Sequence, residues 1–208
     1  AINEVTEKIL EEGAGSFQAL VAALEARGMN WREIGIKDVW DMHRVAESYA
    51  EGIRRCEVLS KLEHLGLHIV GEVSDEVRNR LPKTTFHKFP GFPKMLEMVE
   101  RTKILVNVTP KLAAGSHDRI CNGMARGSVL ATTYSSYLAE QFEDGRDIVY
   151  FPKKLDGFDM VLADLIGDCP RLDGMAASSR AIYAERHTWR QRAMELGEAM
   201  TAATSGVS

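Results

Sequence analysis

The chain has 208 residues, 45% of them hydrophobic and 27% charged, with a net charge of −4. That length buries one good core with a helical appendage, and a mildly acidic balance without a basic run argues against nucleic acid or an anionic lipid surface as partner. Three far-apart cysteines, Cys56, Cys121 and Cys169, suit reduced thiols in a cytoplasmic protein better than a disulfide frame, and no apolar run approaches the roughly 18–20 residues needed to span a bilayer.

The opening AINEVTEKILEEG is acidic, lacks a signal-peptide core and has no initiator Met, so processing or a longer parent chain is expected. Residues 1–62 read as helical. Ser16 caps a run with Phe17, Leu20, Val21 and Leu24 on one face, ended by Gly28. Asp38 is expected to cap a longer helix, with Val39, Met42, Val45, Tyr49, Ile53 and Cys56 along one side, continuing to Gly66. Nothing catalytic is visible there, and Trp31 and Trp40 are expected in a core or interface.

Strands are then expected at Leu67–Val70, Thr84–Phe89, Ile104–Val108, Ser128–Thr132 and Ile148–Phe151. Helices alternate with them, at Ser74–Arg80, Phe92–Arg101, beyond Ser116, and at Ser135–Phe142. Leu155–Ile166 is amphipathic, Pro170 breaks it, and Leu172–Glu185 is helical again. Thr188 can cap a last helix to about Met200, before a tail TAATSGVS. Such alternation calls for a parallel α/β sheet with right-handed crossovers. Ligands of these sheets bind beyond the carboxyl ends of the strands. Here that rim carries Gly71, the Thr109–Ser116 loop with Pro110, and the Thr132–Ser136 segment with Tyr134 and Ser135.

The centre of the chain is ILVNVTPKLAAGSHDRICNGMARGSVLATT, residues 104–133. An apolar strand stops at Thr109-Pro110, and a small-residue loop, Lys111–Gly115, follows. Ser116 stands where an N-cap belongs, Ile120, Cys121 and Met124 form one apolar stripe, and Gly127 closes the helix. Gly115 and Ser116 permit close backbone approach, and the first amides of the helix would face an anion. His117 and Arg119 add side-chain donors, so a phosphate or pyrophosphate is the natural guest. An ordinary capped helix with its His and Arg in water fits the same residues. Asn122 lies one turn beyond Asp118, where a polar side chain could hold sugar or ribose hydroxyls or simply face solvent. His117 and Cys121 offer two metal ligands at most, too few for zinc, so no metal is expected. There is no Walker loop, nucleophile elbow or full dinucleotide fingerprint.

The stretch KILVNVTPKLAAGSHDRICNGMARGSVLATTYSSYLAEQFEDGRDIVYF resembles the donor-binding half of GT-B glycosyltransferases, particularly the spore-maturation-protein type. The shared pattern is a strand ending in Asn, a Pro, a small-residue loop, Gly-Ser-His-acidic-Arg, and a Met-Ala-x-Gly helix end. IRRCEVLSKLEHLGLHIVGEV resembles the helix and first strand of the same domain, and RAIYAERHTWRQRAMEL its terminal helices. The likeness covers roughly residues 53–198. It implies a Rossmann-like parallel sheet flanked by helices at 63–175, binding a nucleotide sugar, with a helical segment at 1–62 before it and C-terminal helices and a tail at 176–208. It implies that Gly115, Ser116, His117 and Arg119 meet the diphosphate or donor sugar, and that Asn122 stands where the family places a ribose-binding acid. Asn hydrogen-bonds hydroxyls without bringing charge. Ala114 likewise occupies an acidic position of the related Glu-x7-Glu pattern. Gly71, Pro110, Tyr134 and Ser135 are further candidate donor contacts. The nucleotide sugar is substrate, and no cofactor is called for.

A GT-B enzyme closes a second Rossmann-like domain over the donor, and residues 1–62 are too few and too helical to supply it. The chain is expected to be the C-terminal part of a longer enzyme, binding nucleotide weakly and not turning over alone. A degenerate, non-catalytic domain that dimerises through the N-terminal helices is the rival expectation. A nucleotide-sugar epimerase, the third, would need a set of carboxylates that is not visible.

Overall fold

The computed structural model describes residues 5–6, 16–110, 112 and 114–205. Most of the acidic opening stretch, two positions of the Lys111–Gly115 loop and the last three residues lie outside them. The chain forms two compact units, each contributed by three segments. One comprises Ala1–His87, Val108–Lys111 and Pro152–Asp159; the other comprises Lys88–Asn107, Leu112–Phe151 and Met160–Ser208.

The first unit opens with helices α1 (Ser16–Glu25) and α2 (Ile36–Leu62). Leu20 and Leu24 of α1 pack with Val39 and Ala46 of α2, and Trp31, Ile34 and Met42 close around them. Gly28 ends the first helical stretch at φ +70°, a conformation glycine adopts without a Cβ clash. Two expectations for α2 fail. Gly35, not Asp38, stands at the N-cap, because its carbonyl accepts from the amides of Asp38 (2.9 Å) and Val39 (3.1 Å). Asp38 sits in the first turn, where the helix dipole favours an acid. The buried face is also rotated from the expected stripe: Ala46 and Ala50 are buried, while Val45 and Tyr49 stay about half exposed. Small residues let the backbones approach, so the packed face is not the bulkiest one.

A 3-10 turn (Glu63–Leu65) ends at Gly66, φ +75°, and leads into β1 (His68–Val70). Helix α3 (Asp75–Arg80), capped by Ser74, crosses to β2 (Thr85–His87), which pairs with β1 in parallel, His68 opposite Thr85. Two returning contacts bind later chain to this unit: Arg54 Nη2 donates to the Pro152 carbonyl (2.7 Å), and His64 Nε2 lies 3.6 Å from an Asp159 oxygen.

The second unit holds α4 (Phe92–Glu100), β3 (Ile104–Asn107), α5 (Asp118–Arg126), β4 (Val129–Thr132), α6 (Ser136–Gln141) and β5 (Val149–Tyr150). Its sheet runs β3-β4-β5, all parallel, with Asn107 opposite Thr132 and Thr132 opposite Tyr150. All four residues of β4 are buried, as a central parallel strand requires. Ile120 and Met124 of α5 pack with Leu130, Leu138, Phe142 and Ile148. Gly123 brings α5 hard onto the sheet: a Cβ there would lie 2.8 Å from a Leu105 methyl and 3.1 Å from both Leu130 methyls.

Helices α7 (Phe158–Gly167), α8 (Cys169–Arg186) and α9 (Trp189–Ser205) follow. Pro170 lies in the first turn of α8, where its missing N–H costs nothing, and Asp168 caps that helix through the Arg171 amide (3.1 Å). Thr188 caps α9 through the Gln191 amide (3.4 Å). That helix runs to Ser205, beyond the expected end near Met200. The architecture is α/β, with parallel sheets flanked by helices and helices at both ends, as the alternation implied. No described helix is long and apolar enough to cross a membrane.

Candidate functional site

Three strands of the second unit end their carboxyl ends on polar residues. Asn107 closes β3 and Thr132 closes β4, at 1% and 0% exposure, and Tyr150 closes β5. Two buried polar side chains inside a hydrophobic sheet must satisfy each other, and they do: Asn107 Nδ2 donates to Thr132 Oγ1 at 2.9 Å. The free oxygen of the same amide accepts from Arg119 Nη1 at 2.6 Å. A guanidinium from the first turn of α5 is thereby fastened to the end of β3.

The start of α5 differs from expectation by one residue. His117, not Ser116, is the N-cap, with extended backbone (φ −90°, ψ 145°) and its Nδ1 accepting from the Arg119 amide at 3.2 Å. Ser116 is exposed, and its hydroxyl donates to the His117 carbonyl (3.3 Å). The same Nδ1 lies 2.5 Å from an Asp118 carboxylate oxygen. A bare Nδ1 can accept the amide, and a protonated one can donate to Asp118, so the two contacts exclude each other. The His117 carbonyl accepts from the Ile120 amide (2.9 Å), the first turn's own bond.

The preceding loop is braced from the next strand. Ser135, 2% exposed, donates its hydroxyl to the Gly115 carbonyl at 2.7 Å. It occupies the N-cap position of α6 without capping it through its side chain. Next to it, Tyr134 is 58% exposed and meets Tyr150 edge-on, ring centroids 5.5 Å apart. The Tyr150 hydroxyl is buried without a hydrogen-bond partner, and burial, with Asp144 nearby, pushes its ionisation well above the ordinary tyrosine value. It stays a neutral phenol at any working pH.

Gly115, Ser116, His117, Arg119, Asn122, Tyr134 and Ser135 thus all belong to the second unit, with Arg119 bonded to the end of β3 and Ser135 to Gly115. Asn122 is half-buried on α5. Gly71 and Pro110 belong to the first unit. Gly71 follows β1 at φ +130°, its amide donating to the His87 carbonyl (2.9 Å), and Pro110 is half-buried. Among the described residues, no group of three or more His, Cys, Asp or Glu side chains is placed to hold a metal ion. The sequence placed Asn107 in the shared pattern as the end of a strand, and Thr132 at the start of a rim segment, but gave neither side chain a role.

Chemically, the site offers Arg119 in a fixed position, the His117 imidazole and the opening turn of a nine-residue helix, whose dipole adds positive potential. That combination suits an anion carrying oxygen acceptors.

Comparison with known proteins gives a family match and two likenesses of fold. The model of a family described as "Glycosyl transferase-like" matches residues 54–198, more than two thirds of the chain. Among solved structures, HepE from Anabaena, determined in complex with UDP, superposes with a TM-score of 0.56 at 15% identity, covering 71% of this chain and 44% of that one. TarM superposes with a TM-score of 0.56 at 13% identity, covering 69% of this chain and 32% of that one. The chain therefore spans less than half the length of either. No curated protein sequence matches.

Proposed function

Because the chain belongs to the glycosyl transferase-like family, with its GT-B Rossmann-like fold, we propose that it is the donor-binding part of an enzyme that moves a sugar from a nucleoside diphosphate to an acceptor. The observation that carries this reading is the Arg119 guanidinium fastened by Asn107 beside the start of α5. In such a transfer the bond between the sugar's anomeric carbon and the phosphate oxygen breaks, and negative charge grows on the departing diphosphate. Arg119 and the first turn of α5 would stabilise that charge, Gly115 and Ser116 would allow its close approach, and Asn122 would hold ribose hydroxyls. Tyr134 and Ser135 are proposed at the edge of the donor site, Ser135 acting through the Gly115 carbonyl it braces. The UDP in the HepE structure makes a uridine nucleotide the first ligand to try.

Calorimetric titration with UDP and GDP tests the reading. Saturable binding is expected to one of them. Arg119→Ala should weaken it about 10- to 100-fold, as loss of a charge-assisted contact of about 1.5–3 kcal/mol does, in a protein that still folds but melts lower, since the buried Asn107 oxygen loses the guanidinium. Unaltered affinity in that variant would move the nucleotide elsewhere. The acceptor and the base are assigned to a further domain, since both solved relatives are more than twice the length this chain covers. No transfer of radiolabelled sugar is therefore expected from these 208 residues alone. Three free thiols, Cys56, Cys121 and Cys169, favour a reducing, cytoplasmic setting for the enzyme.

A second reading, a non-catalytic module that dimerises, is favoured by one observation. Helix α2 leaves Trp40, Val45 and Tyr49 about half exposed. Light scattering showing a dimer that Trp40→Ser or Tyr49→Ser dissociates, with no nucleotide bound at any concentration, would replace the first reading by this one.

A further inference from the structure

We propose that Asn107 is a positioning residue that holds the Arg119 guanidinium toward an anionic ligand through an anchor that is itself uncharged. The inference rests on the donor-binding reading above and adds to it the element that aims the cation. Asn107 is 1% exposed and cannot meet a ligand directly. Two of its contacts orient the amide: only the oxygen can receive Nη1 of Arg119 (2.6 Å), and only the NH2 can give to Thr132 Oγ1 (2.9 Å). Thr132, wholly buried at the end of the central strand, is in turn fixed by the ladder to β3 and β5. The chain of contacts therefore runs from the central, buried strand of the unit to a guanidinium at a helix start.

The chemistry of the anchor is the informative part. A carboxylate at this place would make a tighter pair with Arg119, since ionised partners form the stronger hydrogen bonds. It would also cancel the charge that a diphosphate needs to find. An apolar residue would suit the ILV run of β3 and remove this bond to the guanidinium. An amide is the side chain that orients a cation without neutralising it.

The test compares Asn107→Asp, Asn107→Ala and Arg119→Ala by calorimetry with three probes: UDP, inorganic pyrophosphate and uridine. Aspartate has the shape of asparagine, and the Thr132 hydroxyl can turn to donate to it, so the fold should survive. Asn107→Asp is expected to weaken UDP and pyrophosphate at least tenfold while leaving uridine affinity unchanged, because uridine carries no phosphate. Asn107→Ala should cost both anions a smaller factor, about three- to fivefold. Equal losses for UDP and uridine would mark a merely structural role and overturn the proposal. So would wild-type affinity in Asn107→Asp while Arg119→Ala binds weakly, an outcome that leaves the donor-site reading standing. If Arg119→Ala itself binds normally, or the folded wild type binds neither anion, the donor-site reading falls and takes this inference with it. Should Asn107→Asp not fold, Thr132→Val removes the acceptor that orients the amide. It is expected to lower UDP affinity severalfold with uridine unaffected, and no change in either would overturn the proposal.

Discussion

Asp147 keeps a carboxylate at 0% exposure in the turn before β5. Burial alone would push its ionisation up. Hydrogen bonds from Arg146, the Ser178 hydroxyl (2.5 Å) and the Glu143 amide (2.9 Å) outweigh that and hold it below the usual carboxylate range. The stability this contributes is present above the ordinary aspartate value and is lost as pH falls through the lowered folded one. His187 works in the same direction. Burial, with Arg192 and Arg186 beside it, lowers its affinity for a proton, so the unfolded chain takes up that proton first as pH drops below about 6.5. Chemical denaturation as a function of pH should therefore show stability beginning to fall near neutrality and falling further in the carboxylate range. Asp147→Asn should cost about 1–3 kcal/mol at pH 7 and flatten the lower part of that profile; an unaltered profile would reassign the acid loss to other groups. None of this was legible in the sequence, where Asp147 is one acid among several in a polar turn. The bonding of Asn107 to Thr132 and Arg119 escaped for the same reason. A buried polar side chain takes its meaning from the strand it comes to face, and that pairing spans 25 positions.

Helix α5 shows what periodicity reveals and what it hides. Its apolar stripe, its Gly127 terminus and the strands on either side follow from residue spacing, because hydrophobic period and glycine stops are local properties. Its first residue does not. Ser116 and His117 both carry an acceptor suited to an N-cap, and only the backbone turn decides between them, one position later than the serine suggested. Gly123 was equally silent, since a glycine within a helix reads as a mild penalty. In the fold it is a point of close approach between α5 and the sheet, with no room for a Cβ. Gly123→Ala gains about 1 kcal/mol of helix propensity, against about 1–3 kcal/mol for overpacking. The crowded atoms are methyl ends of Leu105 and Leu130, but Leu130 is wholly buried with little room to turn. A net loss of up to about 2 kcal/mol is expected, read as a lower Tm. A Tm at or above the wild-type value would mean the sheet side yields.

At the scale of the molecule, the α/β class was legible because strand and helix runs alternate along the chain. The division into two units built from three segments each was not, since Val108–Lys111 and Pro152–Asp159 carry no mark of composition that sets them apart. The first unit draws on chain that arrives long after its main body: the Pro152 carbonyl receives Arg54, and Asp159 lies beside His64. Residues 1–87 expressed alone lack both contacts and should melt broadly, where the full chain melts cooperatively; a sharp transition in the isolated piece would show that the returning segment is dispensable. The pairing of β3 with β4 works the same way inside the second unit, Ile104 to Asn107 on one side of the loop and Val129 to Thr132 on the other. A protease that clips the loop once, between Leu112 and Gly115, would therefore not liberate either piece. The amino-terminal fragment would keep β3, the carboxyl-terminal fragment would keep β4, and the parallel ladder would stitch them across the break. The nicked protein should migrate as one band on a native gel and come apart only in denaturant.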